Sequence, residues 1–170
     1  NISTTPIVDP TAGTLILSER ANVGSWDGQL KDEEYAGPLR EYLAIIHRNG
    51  AKFLALGGED TSAMWFYAKK SSAPLAGMIL RSTDPEICLD RITALDWNAF
   101  KFDSELLWES ESERCQLFDW CESGAEVLDG TMSSSFEIPT GSYKISTYDY
   151  EDQIADCLLV LHVFERAVVS

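Results

Sequence analysis

Histidine is scarce in this chain: it has two, His47 and His162. Neither belongs to a Gly-x-Ser-x-Gly elbow or a His-Glu-x-x-His helix, so the sequence offers no hydrolase or zinc-protease constellation. The four cysteines, Cys88, Cys115, Cys121 and Cys157, form no Cys-x-x-Cys pair and have no histidine cluster nearby. That argues against a structural zinc site. An even count permits disulfides, but a chain with a sizeable core does not require them, so reduced thiols and a cytoplasmic location are expected. No apolar run approaches the roughly 20 residues needed to span a bilayer. No basic segment followed by an apolar one opens the sequence, so no signal peptide is read. Gly57 and Gly58 lack the following Lys and Ser or Thr of a phosphate loop. Positive charge is the last shortage: 13 Lys and Arg stand against 28 Asp and Glu, a formal net charge of -15. Such a surface repels nucleic-acid phosphates and anionic membranes and favours a basic partner. Acidic residues also keep proteins soluble, which is the plainer use of the same charge.

The charge is unevenly placed. Residues 1–85 carry a net of -2 and residues 86–170 a net of -13. At 45% hydrophobic residues, the chain can bury one good core, and residues 1–170 read as a single domain.

The organising stretch runs from Ser135 to Phe164. Phe136 and Ile138 lead into Pro139-Thr140-Gly141, a turn signal. Tyr143, Ile145 and Thr147 alternate with Lys144, Ser146 and Tyr148, the period of a strand. From Leu158 to Phe164 both faces are apolar, which places that strand at the centre of a sheet. Thr14–Leu17, Ala51–Leu56, Leu75–Arg81, Phe100–Glu109 and Arg114–Trp120 read as further strands. Ser18–Asn22 and Gly124–Ser135 read as loops. Asp32 to Asn49 reads as the main helix, with Tyr35, Leu39, Tyr42, Leu43 and Ile46 as its apolar stripe and Asn49-Gly50 as its stop. A short helix is expected from Pro85 to Leu95. The fold class is therefore α+β: a mostly antiparallel sheet or sandwich of about eight strands, with one main and one short helix.

Site chemistry is thin. Asp149, Glu151, Asp152 and Asp156 miss the calcium-loop spacing. Carboxylate pairs for glycoside chemistry could be drawn from Glu105, Glu109 or Glu111, but any acidic protein offers them. No catalytic residue, metal site or cofactor is expected, and the chain does not read as an enzyme. Trp97, Trp108 and Trp120 fall in or beside strand patterns and read as core. Trp26 and Trp65 lie beside glycine or acidic loops, where an aromatic among carboxylates suits capture of a lysine- or arginine-rich surface. A core position for both competes with that reading.

Several segments, taken in order, resemble one family. They are Gly13-Thr14-Leu15-Ile16-Leu17, Trp26-Asp27-Gly28, Asp32-Glu33-Glu34-Tyr35, Leu54-Ala55-Leu56-Gly57-Gly58-Glu59-Asp60, Gly77-Met78-Ile79-Leu80-Arg81, Leu117-Phe118-Asp119, Gly141-Ser142-Tyr143-Lys144-Ile145 and Leu159-Val160-Leu161-His162. The series resembles the bacterial immunity-protein family numbered twenty-one, found beside polymorphic toxin genes. Departures occur at Asp60, where a proline fits the pattern, and at Ser82, where a tryptophan does. The resemblance implies an α+β protein that protects its producer by binding and blocking a cognate toxin, with no catalytic residues to carry over. A basic toxin would suit the acidic balance, and the expected contact surface is Trp26, Asp27, Glu33, Glu34, Glu59 and Asp60. The C-terminal carboxylates are the second choice. A carbohydrate- or peptide-binding module is the alternative, and it requires two or three coplanar exposed aromatics.

Overall fold

The computed structural model describes residues 4–8, 14–28, 43–57, 61–67, 75–92, 100–130, 133–150 and 159–167. Ten strands lie among them, in two five-stranded sheets whose pairings are all antiparallel. The first sheet has the order β2 (Ala44–Arg48), β3 (Ala51–Leu56), β1 (Leu15–Glu19), β7 (Arg114–Asp119) and β8 (Ser134–Glu137). The second has the order β4 (Ser62–Phe66), β5 (Leu75–Ser82), β10 (Leu159–Arg166), β9 (Gly141–Tyr150) and β6 (Phe100–Ser110). Two short helices accompany them, α1 (Pro85–Ile92) and α2 (Gly124–Asp129), with a 3-10 turn over Arg20–Ser25. The fold is thus β-rich α+β, as the strand patterns require. β10, apolar on both faces, does sit at the centre of its sheet.

Among the described residues, the C-terminal part of the expected main helix is a strand instead. Of Asp32–Asn49, residues 32–42 lie outside the described part, and Ala44–Arg48 is strand β2. Asn49 and Gly50 both have positive φ, 50° and 77°, and join β2 to β3 with Arg48 opposite Ala51. An Asn-Gly pair between apolar runs is the strongest short hairpin signal, and the same pair can stop a helix. Pairing of β2 with the buried strand β3 decides between them. The Gly124–Ser135 loop is likewise corrected: it contains α2 and the start of β8. Ser123 Oγ accepts from Glu126 N at 3.3 Å, and the Ser-x-x-Glu spacing of a capped helix start is legible there in the sequence. Ser18–Asn22 divides between β1 and the 3-10 turn.

Side-chain alternation builds three apolar layers. Between the sheets lie Leu15, Leu17, Leu54, Leu56 and Leu117 from the first, meeting Trp65, Ile79, Tyr143, Ile145 and Phe164 from the second. Outside the second sheet, Met78, Leu80, Leu161 and Val163 pack under Cys88, Leu89 and Ile92 of α1. Outside the first, Ile16, Phe53 and Phe118 pack under Val23, Trp26 and Val127. Both sheets are therefore covered on both faces, which is why so many strands read as continuous apolar runs.

Two features tie the layers together. Trp65 stacks on Phe136 of the opposite sheet, with ring centroids 4.6 Å apart, and meets Phe164 edge-on at 5.4 Å. Its indole lies directly over Gly77, whose φ is +152° and whose missing Cβ would fall inside the ring. Arg81, 1% exposed, donates from Nη1 to the carbonyls of Leu56 (2.5 Å) and Gly57 (3.1 Å), and from Nη2 to that of Thr61 (2.8 Å). The acceptors flank the connection by which the chain leaves β3 and enters β4, so one guanidinium links both sheets.

His162 is fully buried beside them, with Nδ1 2.9 Å from Thr147 Oγ1, while Nε2 makes no hydrogen bond. Burial, and then the Arg81 charge, push its pKa down from the ordinary 6.5 to about 3. Below pH 6.5 the unfolded chain takes up a proton that the folded chain refuses, so this histidine costs stability as pH falls from 6.5 towards 3. The slope from this one group is at most about 1.4 kcal/mol per pH unit. Urea unfolding of wild type and His162→Gln across that range should show the shallower pH dependence in the variant; parallel curves would contradict the assignment. Separately, Gly77→Ala should destabilise the fold by roughly 2–4 kcal/mol through strain at positive φ and collision with Trp65, read as a lower urea midpoint.

Candidate functional site

Strand β6 forms the outer edge of the second sheet, and its sequence alternates until Asp103 interrupts it. Phe102 pairs with Tyr148 and Ser104 with Thr147, so one residue is inserted between them. Such a bulge flips every later side chain to the other face. Plain alternation would put Phe100, Phe102, Leu106 and Trp108 on one face, and the bulge divides them. Phe100 and Phe102 lie on the outer face, where Phe102 meets Tyr148 edge-on at 5.9 Å. Trp108 is turned between the sheets, 6.0 Å from Phe164, and Leu106 packs against that inter-sheet core.

The flip leaves an acidic ridge with apolar steps. Asp103, Glu105 and Glu109 of β6 and Glu111 and Glu113 of the following turn are exposed. Between them stand Phe102, 52% exposed, and Leu107, 70% exposed. None of the five carboxylates forms an ion pair. At the turn end, Glu109 and Glu111 join Glu19, Asn22 and Lys52 around a cavity of about 300 Å³ that Trp108 also lines. Glu19 shapes it: its carboxylate accepts from the Glu111 backbone N–H (2.5 Å) and from Asn22 Nδ2 (3.5 Å), fastening the β6–β7 turn to the end of β1. The arrangement can take a cationic side chain between carboxylates, beside apolar contact surface.

The expected contact residues are placed differently. Trp26 is 2% exposed; its Nε1 donates to the Trp120 carbonyl at 2.9 Å, and its ring meets Phe53 edge-on at 5.1 Å. It belongs to the core and cannot anchor a partner. Arg48 lies over that ring at 4.9 Å and pairs with exposed Asp27 at 2.6 Å, so Asp27 is already neutralised by its neighbour. Glu33, Glu34, Glu59 and Asp60 lie outside the described residues. Trp65 is buried too. Glu105, Glu109 and Glu111, which the sequence offers only as carboxylates that any acidic protein has, do belong to the ridge, and the bulge that sets their facing has no sequence signal.

Among the described residues no group of three or more His, Cys, Asp or Glu side chains is arranged to hold a metal ion. Cys115 and Cys121 are free thiols, and Cys88 Sγ lies 3.1 Å from Ser82 Oγ. Burial, with Glu19 adding to it, pushes the Cys115 thiol up to about 12, which keeps it un-ionised at neutral pH. Among the described residues no helix is long and apolar enough to cross a membrane. No family model, no curated protein and no solved structure matches this chain.

A thiol reagent such as iodoacetamide, applied to the native protein at pH 7.5, should label exposed Cys121 and leave Cys88 and Cys115 unmodified until denaturant is added. Mass spectrometry of the peptides reads this directly, and early labelling of Cys115 would contradict its burial.

Proposed function

We propose that this chain is a binding protein that captures a basic protein partner through the β6 ridge, and that the partner is a toxin domain which it neutralises. The exposed ridge carries the reading: five unpaired carboxylates flank Phe102 and Leu107, which combine long-range attraction with apolar contact. Charges of one sign steer an oppositely charged partner and raise association rates, whereas the apolar residues supply most of the binding energy. The resemblance to the immunity-protein family numbered twenty-one makes a polymorphic toxin the natural partner, and blockade by occupancy requires no catalytic group.

The sheet arrangement favours this over a carbohydrate- or peptide-binding module. That alternative needs coplanar exposed aromatics, and Trp26 and Trp65, its candidates, are both buried.

The test is co-expression with the toxin domain encoded beside the gene. A stoichiometric complex that protects the host is expected. Asp103→Lys combined with Glu105→Lys and Glu109→Lys should slow association by about 10- to 100-fold at low salt, and Leu107→Ala should raise the dissociation rate. The comparison variant reverses Glu33, Glu34, Glu59 and Asp60. If that variant loses binding and the β6 variant does not, the interface lies at the first-predicted residues instead. Absence of any complex in a well-folded protein would remove the immunity reading.

A further inference from the structure

A second cavity, of about 420 Å³, lies where the 3-10 turn meets β7 and β8, and its charge runs against the rest of the molecule. Arg20, Arg114, Gln116, Ser135 and Glu137 line it, with Cys115 and Phe136. Strand alternation brings these polar groups together. Arg114 and Gln116 share the outer face of β7, and Glu137 and Ser135 stand opposite them in register on β8.

The pocket is held in shape by a buried amide. Gln116 is 4% exposed. Its Oε1 accepts from Arg20 Nη1 at 3.2 Å and from Ser135 Oγ at 2.8 Å, and its Nε2 donates to Ser133 Oγ at 2.5 Å. One arginine is therefore positioned before any ligand arrives, which lowers the ordering cost of binding. Neither Arg20 nor Arg114 forms an ion pair, although the chain has 28 carboxylates and Glu137 stands directly opposite Arg114. Two uncompensated guanidiniums beside one cavity in a chain of net charge -15 constitute a local positive site.

We propose that this cavity binds a small monocarboxylate, held by the Arg114 guanidinium with the remaining N–H groups of Arg20 as further donors. A planar fork matches a carboxylate bidentately, which an ammonium cannot do. Glu137 and the overall negative field penalise a dianion such as phosphate more than a monoanion. The volume suits a molecule rather than a bare ion. The site rests on other residues than the β6 ridge and stands or falls apart from it.

The test uses the full chain at fixed ionic strength, titrated with benzoate, acetate and inorganic phosphate. Backbone amide NMR shifts and calorimetry follow the binding. Saturable benzoate binding is expected, with shifts centred on Arg114, Gln116 and Ser135 and phosphate much weaker. Arg114→Gln and Arg114→Lys should each weaken benzoate about tenfold or more, while Glu137→Gln should tighten it. Ser135→Ala, which removes a donor to Gln116, provides a milder second variant, with an expected loss of a few-fold. Absence of saturable shifts, shifts centred elsewhere, affinities unchanged in the Arg114 variants, or phosphate binding as tightly as benzoate would each overturn the proposal.

Discussion

The fold depends on a charge buried where the chain changes sheets. Taking a guanidinium out of water costs several kcal/mol, and Arg81 offsets this with hydrogen bonds to three main-chain carbonyls at the ends of β3 and of the connection into β4. Hydrogen bonds to a charged donor contribute about 1.5–3 kcal/mol each, so three of them balance a loss of that size. The carbonyls of Leu56, Gly57 and Thr61 gain in turn, because these residues are buried and Arg81 supplies donors to them. Arg81 also lies next to His162, which it helps to keep neutral.

Around that point the two sheets are matched by aromatic contacts rather than by aliphatic packing alone. Trp65, Phe136 and Phe164 form one stack across the layers, and Trp108 and Tyr143 extend it towards β6. The stack requires a glycine beneath Trp65, and it also draws Trp108 inward. Because Trp108 is drawn inward, the residues on either side of it, Leu107 and Glu109, must point outward. The exposed ridge is thus a consequence of core packing, reached through the bulge at Asp103.

The molecule then presents two opposite electrostatic faces close together. Glu19, at the end of β1, lines the acidic cavity, and Arg20, its neighbour in the chain, lines the basic one. The β6–β7 turn contributes to both, with Glu111 on one side and Arg114 on the other. A net charge describes neither face. A partner approaching the ridge meets unpaired carboxylates, while Gln116 holds Arg20 towards a different concavity.

Much of this was legible in the sequence. Ala51–Leu56, Leu75–Ser82 and β10 are apolar runs whose burial nothing else could satisfy, and Pro85 opens α1 because its fixed φ suits a first helical position. Other features were decided only by tertiary contacts. Asn49-Gly50 can end a helix or turn a hairpin, and the choice fell to pairing with β3. Trp26 beside two glycines can be an anchor or core, and the hydrogen bond to Trp120 with the ring of Phe53 made it core. The inserted residue at Asp103 has no local signature, yet it reverses the face of all that follows in β6. Sequence by itself determined most of the strands, though not β2 or β4, and how acidic the chain is, because period and charge are local properties. Only the tertiary structure decided which carboxylates stand unpaired and which aromatics are exposed, because both depend on register with strands far away in the chain.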